Sequence, residues 1–347
     1  MKILQVITSL GTGGAERLLT DSIPMYRERG IDMEVLLLNG NKTPFYEMME
    51  HQDIKIYSLT TGRLQKVYNP LLIWKIIPFL KRYDIVHVHL FPALYWVAMA
   101  QALSFGKGQL IFTEHSTYNR RVHRRFWRMT DRFVYGQYSK IVSITEDVRV
   151  KICSYLHMNQ SKFDIIHNGI NLKTFSPSAP EKKKSGAVTL IQVAGFRKEK
   201  DQLTVIRSLQ YLPDNVRLLL VGDGETRPVC ESAVKELELC DRVSFLGVRT
   251  DIQELLHASD VVILSSHGEG FGLSVVEGMA VGRPVVASDI PGLHLVVKGA
   301  GILFPPGDAK VLANEISKLI THSGYYDNVA SKCLERSRMY DINTMVN

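Results

Sequence analysis

Short runs of β-branched and aliphatic residues alternate with longer stretches of helical period through nearly the whole chain, and this alternation stops once and restarts. In the first half the strand-like runs are Lys2 to Ile7, Glu34 to Leu38, Ile54 to Leu59, Ile85 to His89, Gln109 to Thr113 and Lys140 to Ile144. In the second they are Val188 to Val193, Val216 to Val221, Val243 to Leu246, Val261 to Leu264 and Pro284 to Ala287, with helical patterns such as Leu203 to Tyr211 and Ile252 to His257 between them. Strand, helix and strand in succession form the unit of a parallel sheet, because parallel neighbours need a long crossover. The chain is therefore expected to be α/β, with two Rossmann-like domains in tandem. Its 347 residues suit two domains of ordinary size. The break falls at Ser176-Pro177-Ser178-Ala179-Pro180 and Glu181-Lys182-Lys183-Lys184-Ser185-Gly186, polar and charged as linkers are. The expected boundaries are 1–170, a linker over 171–187, and 188–335.

Composition narrows the class. Apolar residues make up 45% and charged residues 22%, which fits a folded globular protein, and no apolar run approaches the roughly 20 residues of a membrane span. The first residues read as a strand rather than a secretory leader, so the protein is expected to be cytoplasmic. Cys153, Cys230, Cys240 and Cys333 lack CxxC spacing, which argues against a disulfide framework or zinc knuckle. The net charge of +7 is uneven: residues 1–170 hold 22 Lys and Arg against 14 Asp and Glu, the remainder 20 against 21. The N-terminal half is therefore expected to face an anionic partner: lipid headgroup, phosphorylated acceptor or nucleic acid.

Two glycine loops follow strands and open helices. Ser9-Leu10-Gly11-Thr12-Gly13-Gly14-Ala15-Glu16 fails the dinucleotide pattern, because Glu16 stands where helix packing needs Gly or Ala. In Ser265-Ser266-His267-Gly268-Glu269-Gly270-Phe271-Gly272-Leu273-Ser274-Val275-Val276-Glu277, the amides of Phe271, Gly272 and Leu273 are placed to hold a phosphate. Glu269 and Glu277 are placed to accept hydrogen bonds from hydroxyls on either side of it. That arrangement fits a nucleotide-sugar.

At these residues the sequence resembles glycosyltransferase family 4, retaining enzymes of the GT-B fold. The resemblance runs over nearly the whole chain. Glu269 and Glu277 match its E-x7-E motif, Gly13 to Glu16 its G-G-A-E, Thr113-Glu114-His115 its strand-end histidine, and Asn168-Gly169-Ile170-Asn171 its hinge. Gly222-Asp223-Gly224-Glu225, Gly282-Arg283-Pro284-Val285-Val286-Ala287 and Leu303-Phe304-Pro305-Pro306-Gly307-Asp308 also look like that family. The resemblance implies two Rossmann-like domains facing a central cleft, with a terminal helix starting near 336 and crossing back to the first domain. It implies that Glu269 holds donor-sugar hydroxyls, Glu277 the ribose, and Lys200 with an arginine the diphosphate. Gly13 and Gly14 would lie under the donor phosphate and sugar, His115 beside the reacting centre, and Val248 and Arg249 along the nucleobase, with Gly270 in the phosphate loop.

In many relatives the phosphate arginine stands five residues before the lysine, where this chain has Gly195. Residues two apart in extended backbone share a face, so Arg197 is expected to replace it, with Lys198 on the other side. The implied function is sugar transfer from a nucleotide donor, UDP-sugar favoured, to a saccharide or polyprenyl-linked acceptor in cell-surface polysaccharide biosynthesis. No metal or other cofactor and no nucleic acid are expected. Rival functions are a nucleotide-sugar epimerase on the same architecture, a silent member that binds a partner and, most weakly, a dehydrogenase.

His87 and His89 share a strand face that would suit a metal, but no third ligand is evident at useful spacing. Asp223-Gly224-Glu225 imitates an acidic metal motif yet reads as a turn. Ser9 and Ser143 have no convincing His and Asp setting for a hydrolase triad. Over 120–132, Val122, Phe126, Met129 and Phe133 fall on one helical side, and Arg121, Arg124, Arg125, Arg128 and Arg132 largely on the other. Two readings stand: a surface helix with its apolar side in the core, or a helix that meets anionic lipid or a polyprenyl-phosphate acceptor, making the protein peripheral on the inner membrane face.

Overall fold

Buried aliphatic strands build two separate parallel sheets. The protein's structure, a computed structural model, describes residues 1–11, 13–104, 108–115, 125–177 and 186–347, except for the side chains at 125 and 126. One unit comprises residues 1–168 with 346–347, the other 169–345. Residues 178–185 of the expected linker lie outside the described residues.

In the N-terminal unit, β1 (Lys2–Ile7), β2 (Asp32–Asn39), β3 (Ile56–Thr60), β4 (Ile85–His89), β5 (Gln109–Glu114), β6 (Lys140–Ser143) and β7 (Phe163–Ile165) pair in the order β3-β2-β1-β4-β5-β6-β7. In the C-terminal unit, β8 (Val188–Val193), β9 (Val216–Val221), β10 (Val243–Gly247), β11 (Val261–Leu264), β12 (Val285–Ser288) and β13 (Ile302–Phe304) pair as β10-β9-β8-β11-β12-β13. The strand order reverses between β1 and β4 in one unit and between β8 and β11 in the other. In open sheets, ligands gather beyond the carboxyl ends of the strands at such reversals.

The central strand β11 is covered on both faces, which explains its continuous apolar sequence: all four of its residues are buried. Each fully buried Val, Leu or Ile contributes about 1.5–3 kcal/mol relative to exposure. Two edge strands, β7 and β13, escape the sequence pattern because each has only three residues.

The arginine-bearing segment differs from its expected packing. Arg121 and Arg124 lie outside the described residues, as does the Arg125 side chain. In the helix Arg125–Gly136 (α5), Met129 is 82% exposed and Phe133 is also exposed, while Asp131, Val134 and Tyr135 are buried. Hydrogen bonds turn this polar side inward. Tyr155 donates to Asp131 Oδ2 (2.8 Å) and Tyr135 to Glu114 Oε2 (2.5 Å). Of the apolar side read from the sequence, Met129 and Phe133 are the members described, and neither faces the core.

The end of the chain also differs in detail. Helix α13 (Ser323–Ser337) gives way to a 3-10 turn at Arg338–Tyr340 and a short helix, α14 (Ile342–Val346). Residues 336–345 group with the C-terminal unit, and Ile170 pairs with Asp341 within it. Only residues 346–347 group with the N-terminal unit, where Arg29 donates to the Val346 carbonyl (2.9 Å).

Candidate active site

Polar side chains collect at both strand-order reversals. In the N-terminal unit, β1, β4 and the end of β5 supply Gln5, His89 and His115. Gln5 and His89 are both buried, and the Gln5 amide nitrogen points to the Met33 sulfur (3.7 Å), which directs its oxygen to His89. Gln5 Oε1 lies 2.9 Å from His89 Nε2, and His89 Nδ1 lies 3.0 Å from His115 Nε2. An amide oxygen only accepts, so His89 carries its proton on Nε2 and accepts on Nδ1, and His115 donates from Nε2. Among the described residues no hydrogen bond reaches His115 Nδ1, whose lone pair is able to accept one.

Beside them His87 Nε2 lies 2.7 Å from Thr113 Oγ1, and the rings of His87 and His89 are 4.3 Å apart. Desolvation lowers the pKa of His87 to about 4 and that of His115 to about 3, and pushes His89 well below the ordinary value. The cluster is thus neutral near pH 7. The tertiary structure brings His115 to the pair His87 and His89, a neighbour the spacing did not reveal. Among the described residues, no group of three or more His, Cys, Asp and Glu is arranged to hold a metal ion.

Gly13 caps helix α1 (Gly14–Glu28) from extended backbone. The Glu16 carboxylate turns back towards this entry, with Oε1 3.6 Å from where a Cβ on Gly11 would stand. The family resemblance implies that Gly13 and Gly14 lie under a donor phosphate; in this structure a carboxylate lies beside that helix start.

In the C-terminal unit the strands beside the reversal end in two loops that are tied together. Gln192 on β8 donates to the carbonyls of Lys200 (2.8 Å) and Ser265 (3.3 Å), His267 N to the Glu199 carbonyl (2.7 Å), and Ser266 Oγ to the same carbonyl (2.6 Å). Ser265 Oγ donates to Asp201 (3.1 Å), whose other neighbour is His267 (3.4 Å). These ties set Lys200 against Glu269, and the two side chains form an ion pair. Neither is widely exposed, at 22% and 15% of the side chain.

The loop around Glu269 depends on two glycines. Gly272 has φ 82°, a left-handed conformation that disfavours a side chain, and caps helix α10 (Leu273–Ala280). Gly292, in helix α11 (Pro291–Val297), packs so close to the Glu269 carbonyl that a Cβ would collide with it. Gly270 and Phe271 are buried, and Glu277, one turn into α10, is buried at 8% exposure between the buried Val276 and Gly278.

Arg197 is exposed, in extended backbone, and makes no ion pair among the described residues. Its Nε lies 3.9 Å from where a Cβ on Gly195 would stand, so its side chain passes over that position. Val248 is 44% exposed. Arg249 holds both carboxylate oxygens of Asp251 (2.7 and 2.5 Å), and this pairing lowers the Asp251 pKa. Asp223 lies in a turn, 3.6 Å from Arg227. Arg128 meets His157 (3.0 Å).

Two family models match in sequence order, Glycosyltransferase Family 4 over residues 12–174 and Glycosyl transferases group 1 over 176–336. The chain belongs to glycosyltransferase family 4. Among its relatives, the N-acetyl-alpha-D-glucosaminyl L-malate synthase of Bacillus anthracis is 33% identical over 150 residues, 42% of this chain and 39% of that protein. The N,N'-diacetylbacillosaminyl-diphospho-undecaprenol alpha-1,3-N-acetylgalactosaminyltransferase of Campylobacter jejuni is 30% identical over 201 residues, 54% of this chain and 53% of that one. The match thus spans about half or less of those relatives' lengths. The crystal structure of Anabaena HepE in complex with UDP and glucose superposes with a TM-score of 0.87 at 26% identity, covering 99% of this chain and 97% of that one. The fold is GT-B, with two parallel-sheet Rossmann-like domains.

Gln5, His89, Gln192, Asp201 and Ser265 are the site residues that the family motifs did not mark. His89 left a trace in the sequence as the His87-x-His89 pair, and Ser265 as the first residue of the glycine loop; the others matter through strand order.

Proposed function

We propose that this family-4 chain transfers a sugar from a nucleoside diphosphate donor, UDP-sugar favoured, to a saccharide or lipid-linked hydroxyl, with retention at the anomeric carbon. The observation that carries this reading is the ion pair of Lys200 and Glu269 at the start of α10, with Glu277 buried one turn on. A lysine beside two carboxylates suits a ligand that offers phosphate to the cation and hydroxyls to the anions. In the free protein Lys200 and Glu269 neutralise each other. A bound donor gives Lys200 a phosphate, and Glu269 accepts from sugar hydroxyls while Glu277 accepts from the ribose.

In the transfer, the bond from the anomeric carbon to the diphosphate breaks and negative charge gathers on the leaving phosphate. Lys200, Arg197 and the amides of Phe271, Gly272 and Leu273 face that charge, which lowers the barrier. The acceptor oxygen forms the new bond on the same face, and its proton passes to the departing phosphate oxygen. His115 accepts from a sugar hydroxyl at Nδ1. Val248 and Arg249 flank the base. No metal is required, since the cations supply the countercharge. HepE, whose structures contain UDP and UDP-glucose, is the reason to favour UDP. The acceptor reading includes growing cell-surface saccharide at the inner membrane face, approached by the basic helix of Arg128.

The test is a thermal-shift screen of UDP-, GDP- and ADP-sugars, followed by transfer assays with labelled donor. A UDP-sugar should raise Tm, and transfer should require an acceptor. Conversion of the sugar without acceptor would make the protein an epimerase, and donor binding with no conversion on any acceptor would leave it a binding protein.

A further inference from the structure

We propose that the face of the N-terminal unit formed by residues 64–82 docks on an anionic lipid bilayer, with Leu64, Tyr68, Leu71 and Trp74 entering the headgroup boundary. The first two lie in the 3-10 turn Leu64–Tyr68, Leu71 caps helix α3 (Leu72–Leu80), and Trp74 lies in its first turn. They follow at intervals of four, three and three, and are 57%, 56%, 63% and 64% exposed. Scattered exposed apolar residues are ordinary; four within the eleven residues 64–74 are not.

The row is held on the fold. Val67, Leu72, Ile76 and Leu80 are buried on its inner side, and the Trp96 indole donates to the Val67 carbonyl (2.7 Å). The Tyr68 ring lies 6.0 Å from the exposed ring of Phe91, at the carboxyl end of β4.

The charge around the row selects the occupant. From Lys55 to Tyr83 the sequence holds Lys55, Arg63, Lys66, Lys75, Lys81 and Arg82 and not one Asp or Glu; the nearest acids are Asp53 and Asp84. All but Lys55 flank or follow the row and are exposed. A partner protein would meet a surface rich in lysine, the residue type depleted at protein interfaces. Single-stranded nucleic acid would need stacking rings, and here Leu64 and Leu71 alternate with Tyr68 and Trp74. Aliphatic side chains, a Trp, a Tyr and an unopposed basic fringe together fit the boundary layer of an anionic membrane.

Helix α4 (Ala93–Ser104) packs between α3 and α5, so Trp127 and Met129, exposed on α5, belong to the same helical layer. This gives the basic helix a companion that the sequence pattern did not single out. The inference stands apart from the donor chemistry, and its test needs no turnover.

The full chain is sedimented with vesicles of phosphatidylcholine alone and of phosphatidylcholine mixed equally with phosphatidylglycerol, at low and physiological salt. The parent should bind the mixed vesicles and not the neutral ones. Leu71→Ser/Trp74→Ser should weaken binding by about tenfold or more, and Lys66→Glu/Lys75→Glu should abolish it at physiological salt. Both variants should keep the parent's circular dichroism, Tm and nucleotide-sugar thermal shift, since the altered side chains are exposed and none is among the candidate site residues. Equal binding by Leu71→Ser/Trp74→Ser, equal binding to both vesicle types, or no binding by the parent overturns the proposal. A loss confined to Arg128→Glu moves the surface to α5 and overturns it too. A parent dimer that Leu71→Ser/Trp74→Ser converts to monomer, with vesicle binding unaltered, assigns the row to a second copy of the chain instead.

Discussion

At the strand reversal of the N-terminal unit stand three neutral histidines and a glutamine, with Gln5, His89 and His115 hydrogen-bonded in series and His87 to Thr113. At that of the C-terminal unit stand a lysine and a glutamate whose charges face each other. The first cluster is built from side chains on adjacent strands, so its geometry is fixed by sheet register. The second stands on loops, and a web of backbone hydrogen bonds holds it instead. A desolvated, neutral histidine relay offers direction and a single acceptor atom. A loop-borne ion pair offers countercharge and can exchange partners when a charged ligand arrives. The two reversals of one fold type are thus chemically specialised, one for orientation and one for charge.

The hardest test of that division is to remove charge. Lys200→Ala and Glu269→Gln should each lower kcat/KM by about a hundredfold or more, since each takes away a charge-assisted contact and leaves its partner unpaired. The double variant should lose less than the sum in free energy, because the pair acts as one unit. If His115→Ala costs more than Lys200→Ala in steady-state kinetics, the assignment of charge to one unit and orientation to the other fails.

A smaller effect is expected from breaking the relay. Gln5→Leu strands the His89 Nε2 proton in a buried place, at a cost of about 1–3 kcal/mol in stability, and should lower kcat about tenfold by loosening His115. The pH dependence has a definite sign. The folded histidines have depressed pKa values, about 4 and 3 for His87 and His115, so on acidification the unfolded chain takes up protons first. Stability is therefore complete above about pH 6.5 and falls towards pH 4, by at most about 1.4 kcal/mol per pH unit for each histidine. Thermal melts of the parent and of His89→Phe across this range should show the shallower slope in the variant; parallel curves would remove the cluster as the acid-sensitive element.

Arg197→Ala should lower kcat/KM by about tenfold, the loss of one charged hydrogen bond, while Lys198→Ala should stay near the parent. The reverse order would hand the phosphate contact to Lys198. The smallest change of all is expected from excess EDTA: transfer should be unaffected, and a loss restored by Mn²⁺ would mean that cationic side chains do not supply the countercharge.

Much of this was legible before any coordinates. The strand run Val261–Leu264 falls where its aliphatic sequence puts it, because a strand buried on both faces favours apolar residues throughout. Glu269, Glu277 and the glycines around them were marked by their spacing. Of the two readings of helix α5, the one with its apolar side in the core fails for a physical reason: hydrophobic period assumes that apolar residues face inward, yet hydrogen bonds from Tyr155 and Tyr135 satisfy the buried Asp131 and Glu114, and Met129 stays outside. The exposed row at Leu64 to Trp74 was passed over for a related reason. Its residues alternate with buried ones at helical spacing, and period alone does not say which face meets the core.

What the sequence determined by itself is therefore local: which segments are strands, where loops need glycine, and which residue types stand at the loop that opens α10. Strand order was decided by the tertiary structure. Gln5, His89 and His115 are separated by up to 110 positions along the chain, and they meet because β1, β4 and β5 are neighbours in the sheet. The same holds for Lys200 and Glu269, which follow β8 and β11. A hydrogen bond acts over about 3 Å, and no one-dimensional pattern encodes that distance between segments brought together only by the folding of the sheet.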